Sequence, residues 1–201
     1  MPLTSAVLAD GLARIAAHME TVADELNALD GQLGDGDLGV TMTRGGRALR
    51  DILPTLPADV GMALMACAQA MTKVSGSSYG TLVATGLMAA AKATRGRTEV
   101  PWDETAALLR AALAAMMARG KASLGDKTVL DALDAAARGA DGKSEPGEIL
   151  AGAAAAVDAT MAQMREMQAK VGRARIFGER SIGLDDPGMR AWREMLRGLG
   201  A

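Results

Sequence analysis

Aromatic side chains are nearly missing from this chain: Tyr79, Trp102, Phe177 and Trp192 are all it has in 201 residues. So few rings build neither the base-stacking platform of a single-strand binder nor the Val- and aromatic-rich core of a β-sandwich. A single cysteine, Cys67, excludes an intrachain disulfide, and a single histidine, His18, leaves little for a Ser-His triad or general-base histidine chemistry. An excess of either charge is also absent. Twenty-two basic against 24 acidic side chains give a net charge of −2, which removes the electrostatic case for nucleic acid. Long apolar runs are lacking too. Residues 74–91 are uncharged but are interrupted by Gly76, Gly80, Gly86 and several hydroxyls, so no membrane segment is expected. The opening MPLTSAVLADGLAR has no basic start and no apolar stretch, so no secretory signal is expected and the cytoplasm is the expected compartment.

What the chain does have is a 49% hydrophobic composition dominated by Ala, Leu and Met, enough for one domain over residues 1–201. Leu8, Leu12, Ile15, Met19, Val22, Leu26 and Leu29 step by three and four, the signature of an amphipathic helix over 4–29. The same spacing predicts helices over 40–52, 59–73, 81–92, 103–119, 128–138, 146–170 and 187–199. Asp59 and Asp103 are expected N-caps, Pro146 and Pro187 first helical residues, and Gly120 and Gly172 helix stops. β-branched residues never alternate, so no strand is expected. The predicted fold is all-α: an eight-helix antiparallel up-and-down barrel.

Glycine is the compositional anomaly, 24 of 201 residues or about 12%, against an average near 7%. In an up-and-down barrel, odd-numbered connections share one end and even-numbered ones the other. The even set (LPTLPA, ATRGRTEVPWD, GADGKSEPGE) is ordinary proline-bearing loop chemistry. The odd set (DGQLGDGDLG, VSGSSYG, RGKASLGDK, VGRARIFGERSIGLDD) collects Gly, Ser, Asp and Arg. The site is expected at that end.

Asp30, Asp35 and Asp37 are three carboxylates within eight residues, with glycines that let the chain curl so that all point one way. A hard cation such as Mg²⁺ would relieve their repulsion, although the spacing is not that of a calcium loop. Taken alone, the same residues suit a simple helix-ending turn equally well. Leu38, Gly39, Val40 and Thr41 then open a helix whose free N–H groups favour an anion. The second odd loop offers the hydroxyls of Ser77 and Ser78. The third resembles a Walker A loop but fails, because Asp126 separates Gly125 from Lys127 and no strand precedes it. The fourth brings Arg173, Arg175, Glu179, Arg180, Asp185 and Asp186. His18 is expected mid-helix away from these loops, and Cys67 and the fourteen methionines are expected core residues.

The strings LNALDGQLGDGDLG, SGSS, GDKTVLDAL and GRARIFGERSIGLDDPG, in this order, resemble the nucleotide-binding L subunit of dihydroxyacetone kinases over essentially the whole chain. The resemblance implies an eight-helix barrel holding ADP or ATP and two Mg²⁺ ions at one end. It implies metal ligands at Asp30, Asp35 and Asp37. It implies nucleotide contacts at Leu38, Gly39, Val40, Thr41, Ser77, Ser78, Gly120, Val129, Arg173, Asp186, Pro187 and Gly188. It also implies a separate K subunit that holds the ketose covalently through its own histidine, dihydroxyacetone and erythrulose being equally compatible. The phosphoryl source would be exchangeable ATP, or a retained ADP recharged by a phosphohistidine protein of a sugar phosphotransferase system. Leu38 stands where His or Thr is common in the family, which tilts the reading slightly toward ATP. Ser75 stands where Gly is usual, and Tyr79-Gly80-Thr81-Leu82 follows where Gly, then Leu and an aromatic are expected. The competing reading is a non-catalytic nucleotide-binding interaction module.

Overall fold

A computed structural model describes residues 1–200. These residues form nine α-helices: α1 (Ser5–Thr21), α2 (Ala23–Leu33), α3 (Leu38–Ile52), α4 (Val60–Val74), α5 (Ser78–Thr94), α6 (Thr105–Gly120), α7 (Val129–Ala140), α8 (Pro146–Arg165) and α9 (Pro187–Gly200). Short 3₁₀ segments cover Leu53–Thr55, Trp102–Glu104 and Ala174–Ser181, and no β-ladder forms among the described residues beyond one bridge, Leu3 to Val100.

The first helix is two helices. The Thr21 hydroxyl donates to the His18 carbonyl at 2.8 Å, the same carbonyl that accepts the Val22 N–H at 3.2 Å. That shared acceptor and two consecutive β-branched residues let Val22 leave the helix at φ −104°, ψ 7°. Asp24 and Glu25 then sit at the positive end of α2. The kink also extends the helix to Leu33, so Asp30 lies in a helical turn rather than in the loop expected of it.

Other boundaries differ as well. Helix α8 ends at Arg165, and residues 166–186 form one long connection in which Gly172, at φ +68°, is a loop turn and not the stop of α8. Asp103 lies inside the 3₁₀ turn before α6 and caps nothing, whereas Asp59 accepts the Met62 N–H at 2.8 Å and caps α4 as expected. At the end of α6 the left-handed residue is Lys121, one beyond Gly120.

From α3 onward each helix packs on the next, α3 packs on α1, and α9 closes on α1, with α2 extending α1 beside α3 and α9. Counting α1 and α2 as one kinked element, this is the eight-membered closed barrel. Alanines fill the tightest seams, with Ala132, Ala135, Ala136, Val157 and Met189 forming one buried cluster. Cys67 is fully buried beside Leu49 and Met71. The closing seam is polar. Glu194, 1% exposed, accepts from His18 Nε2 at 2.9 Å and from Arg197 at 3.0 Å, and Arg190 lies 3.1 Å away. Burial pushes the Glu194 carboxyl up, but the His18 bond and the Arg197 and Arg190 charges outweigh it and hold the pKa below the usual value. His18 is therefore a packing partner of α9, in the last turn of α1.

Helices α7 and α8 touch backbone to backbone: a Cβ on Gly139 would stand 2.2 Å from the Gly152 carbonyl oxygen, and one on Gly152 2.3 Å from that of Gly139. Gly139→Ala is expected to destabilise the protein by about 1–3 kcal/mol through overpacking. Gly147→Ala in the first turn of α8 meets nothing within 4 Å and is expected to stabilise by about 0.5–1 kcal/mol. Urea denaturation of both variants checks the opposite signs.

Candidate functional site

All four odd connections meet at one cleft of about 630 Å³. Asp30, Leu33 and Leu38 come from the first; Gly76, Ser77, Ser78, Tyr79, Thr81 and Leu82 from the second and the start of α5. The third supplies Arg119, Gly120, Ala122, Thr128, Val129 and Leu130, and the fourth Val171, Gly172, Arg173, Ala174, Asp186, Pro187 and Gly188. Among residues singled out from the sequence, Asp30, Leu38, Ser77, Ser78, Gly120, Val129, Arg173, Asp186, Pro187 and Gly188 line this cleft. Asp35, Asp37, Gly39, Val40 and Thr41 do not.

One carboxylate oxygen from each of Asp30, Asp35 and Asp37 lies within 4.8 Å of the others. Two glycines make this geometry possible. A Cβ on Gly34 would stand 2.3 Å from Asp30 Oδ1, and Gly36 turns the chain at φ +75°. The Asp37 N–H donates to Asp30 Oδ2 at 3.0 Å, and Arg173, reaching over from the fourth connection, forms an ion pair with Asp35.

The first turn of α3 offers less to an anion than four free amides would. The Val40 N–H already donates to Asn27 Oδ1 at 3.2 Å and the Thr41 N–H to the Asp37 carbonyl at 2.9 Å. Gly39 serves packing, since a Cβ there would meet the Ala23 carbonyl oxygen at 1.9 Å. The Leu38 side chain is buried with Met19, Leu26 and Met42, so only its backbone and one edge face the cleft. Of this turn only Leu38 lines the cleft.

In the second connection Ser77 caps α5 by accepting the Gly80 N–H at 3.1 Å. Ser75 and Gly80 are complementary, because a Cβ on Gly80 would fall 1.9 Å from Ser75 Oγ. The two unusual residues of this loop thus fit each other.

Sequence reasoning missed the residues that hold the third and fourth connections. Lys127 is 1% exposed and has φ +60°. Its ammonium donates to the carbonyls of Ser181 at 2.7 Å, Met167 at 2.8 Å and Arg165 at 3.3 Å. Thr128 and Asp131 form a capping box on α7, and Asp131 also accepts the Gly125 N–H at 2.6 Å. The T-x-x-D spacing of that box was visible in the sequence; nothing local signals that Lys127 is buried. In the fourth connection, Asp186 accepts the Met189 N–H at 2.8 Å and so caps α9. Its carboxyl is sunk in the cleft wall, and burial, opposed by the Met189 and Gly188 N–H bonds, pushes its pKa up to about 7.

Fold and cleft together define a class: a closed all-helical barrel with a polar site assembled from the loops at one end. The DAK2 domain family matches residues 32–201, and the chain belongs to that family. It is 32% identical over 193 residues to the ADP-binding subunit DhaL of the PEP-dependent dihydroxyacetone kinase of Escherichia coli, covering 94% of this chain and 92% of that one. It is 32% identical over 195 residues to the human triokinase/FMN cyclase, covering 94% of this chain and 33% of that protein. It is 31% identical over 186 residues to the L-erythrulose 1-kinase of Mycolicibacterium smegmatis, covering 88% of this chain and 32% of that enzyme. The chain therefore spans about a third of these two longer relatives. The crystal structure of the dihydroxyacetone kinase of C. freundii superposes with a TM-score of 0.76 at 25% identity, over 99% of this chain and 35% of that one. Its complex with AMP-PNP and Mg²⁺ gives 0.73.

The Asp186 carboxyl makes stability depend on pH. Its pKa is about 7 in the fold against an ordinary 3.8, so between these values the native state keeps a proton that the unfolded chain has released. The contribution is complete below pH 3.8 and lost as pH rises to about 7. The wild type is expected to lose stability relative to Asp186→Asn across that window. A pH-independent difference between their urea midpoints would contradict this.

Proposed function

We propose that this chain is the nucleotide-binding subunit of a dihydroxyacetone-type kinase, transferring a phosphoryl group to a ketose presented by a separate K subunit. The observation that carries the reading is the convergence of four connections on one cleft, with three carboxylates gathered at its edge and an arginine beside them. The name of the full-length E. coli relative and the AMP-PNP and Mg²⁺ complex of the C. freundii enzyme support it.

The donor set fits a hard divalent cation. Asp30, Asp35 and Asp37 supply only carboxylate oxygens, and Arg173 is paired with Asp35. These residues would hold Mg²⁺, which when bound neutralises phosphate oxygens. Arg173 pairs with phosphate as readily as with carboxylate, since its planar fork suits either. The Leu38 backbone and the Ser77 and Ser78 hydroxyls complete an anion-binding wall, while Leu82, Ala122, Val129 and Leu130 give an apolar one for the base. The residues of this chain therefore bind and orient, and catalysis rests on positioning and electrostatics. No group in the cleft resembles a covalent trap for a ketone, and the sole histidine is committed to Glu194. The acceptor must come from the partner.

For the phosphoryl source we favour exchangeable ATP. The Leu38 side chain turns into the core and leaves no polar side chain beside the phosphates at that position. The likeness to a PEP-dependent subunit over 92% of its length favours the other version, a retained ADP recharged in place by a phosphohistidine protein. Labelled ADP loaded on the protein and chased with excess ATP separates them. Release faster than turnover is expected; release far slower, with one product at most per nucleotide, would establish the retained form.

Asp37→Asn is expected to abolish Mg-ADP binding while leaving the helices intact. At a ligand concentration 100 times its Kd, the wild type should gain about 2.7 kcal/mol of stability that the variant lacks; an equal thermal shift in both would sink the metal assignment. The purified chain alone should not phosphorylate dihydroxyacetone, and addition of a histidine-bearing K subunit should start turnover.

A further inference from the structure

Residues 166–186 pose a physical question. Connections this long without α-helix or strand are uncommon in compact domains, where loops beyond about 12–15 residues tend to be functional or disordered. Yet this one supplies Arg173 and Asp186 to the cleft and leads into Pro187 and Gly188 at the start of α9, which line it too. It must be held from outside, and the holding group comes from the neighbouring connection.

We propose that Lys127 is a positioning residue for nucleotide binding: its buried ammonium fixes both ends of the 166–186 connection, so that Arg173 and residues 186–188 face the cleft. The inference rests on the nucleotide-site reading given above. The three acceptors belong to both sides of the connection. Arg165 and Met167 flank its start, and Ser181 ends its 3₁₀ segment. An ammonium has three protons, and all three are used here, so Lys127 is not available as a phosphate-binding lysine despite its place in a Gly-Asp-Lys-Thr loop. Ser181, fully buried, extends the knot: its hydroxyl accepts the Ala169 N–H at 2.9 Å and donates to the Gly178 carbonyl at 2.6 Å. The Lys170 N–H donates to the Asp126 carbonyl at 3.1 Å, and the Gly183 N–H to that of Arg165 at 2.8 Å. The left-handed backbone at Lys127, a region a side chain rarely adopts, is the conformation that accompanies this inward ammonium. A guanidinium could not replace it, because three carbonyls converging on one nitrogen do not match a planar fork.

The test measures Mg-ADP affinity by calorimetry in the wild type, Lys127→Met, Lys127→Arg, Arg173→Ala and the double variant Lys127→Met/Arg173→Ala. Lys127→Met should keep the helical circular dichroism and a cooperative melt yet bind ADP at least ten-fold more weakly, with no rescue by Lys127→Arg. Because Lys127 acts through Arg173 and its neighbours, Arg173→Ala should cost much less in the Lys127→Met background than in the wild type. Trypsin, applied without nucleotide, should cut the variant rapidly at Lys170, Arg173, Arg175 and Arg180 while sparing the wild type. Wild-type affinity in Lys127→Met, or an equal Arg173→Ala cost in both backgrounds, overturns the proposal. If Lys127→Met does not fold, Lys127→Gln, whose shorter side chain ends in two N–H protons and cannot serve three carbonyls, replaces it, and unchanged affinity with unchanged trypsin resistance there overturns it equally. If the wild type binds no ADP, the parent reading fails, and the tryptic pattern alone decides whether Lys127 holds the connection.

Discussion

The architecture depends on the seam where α9 meets α1. A row of antiparallel helices can stay open, and an open row would leave its first and last connections far apart. Closing the ring brings the first connection next to the fourth, and only then can Arg173 reach Asp35. The seam is held by a carboxylate that water does not reach. Glu194 is satisfied by His18 from α1 and by Arg190 and Arg197 on its own helix. A carboxylate buried at this depth is tolerated only because several cationic partners surround it. The only histidine in the chain is therefore spent on closure, and the cleft is left without a general base of that kind.

Once the ring is closed, the cleft is built by steric permission more than by attraction. Gly34 leaves room for the Asp30 carboxylate, Gly39 lets α3 touch the backbone of α2, and Gly80 makes space for Ser75. The glycine surplus at this end is thus divided between two tasks, left-handed turns at Gly36, Gly125, Gly172, Gly178 and Gly183 and close approach at Gly34, Gly39 and Gly80. The clustering of three carboxylates is unfavourable by itself, and Arg173 is the counter-charge the protein supplies. A cation of higher charge density would compete with it for the same oxygens. The carboxylates and the arginine that relieves them lie far apart in sequence, on connections that closure of the ring makes neighbours.

Much of this was legible in the residues. Apolar spacing of three and four fixes the helices, because a helix needs only local hydrogen bonds and a face to bury. Once eight helices alternate in direction, the sorting of Gly, Ser, Asp and Arg into alternate connections predicts one functional end, and ten of the residues marked there do line the cleft. The family strings are equally local. Where the reading missed, a longer-range partner decided. The 3.6-residue period runs straight through Val22, and the kink arises where the Thr21 hydroxyl shares the His18 carbonyl. The anion turn at residues 38–41 looked open until Asn27 took the Val40 N–H.

Sequence alone therefore determined the all-α class, most of the helices and the end at which the glycine-rich connections gather, since each follows from residue types at fixed local spacing. Tertiary structure decided which polar groups are already spent. The third connection fails as a Walker A loop in the sequence, and in the fold the three protons of its Lys127 end on the carbonyls of Arg165, Met167 and Ser181. No local pattern records that outcome, because a buried ammonium takes whichever carbonyls the folded chain brings within reach, and here they lie at least 38 positions away in sequence.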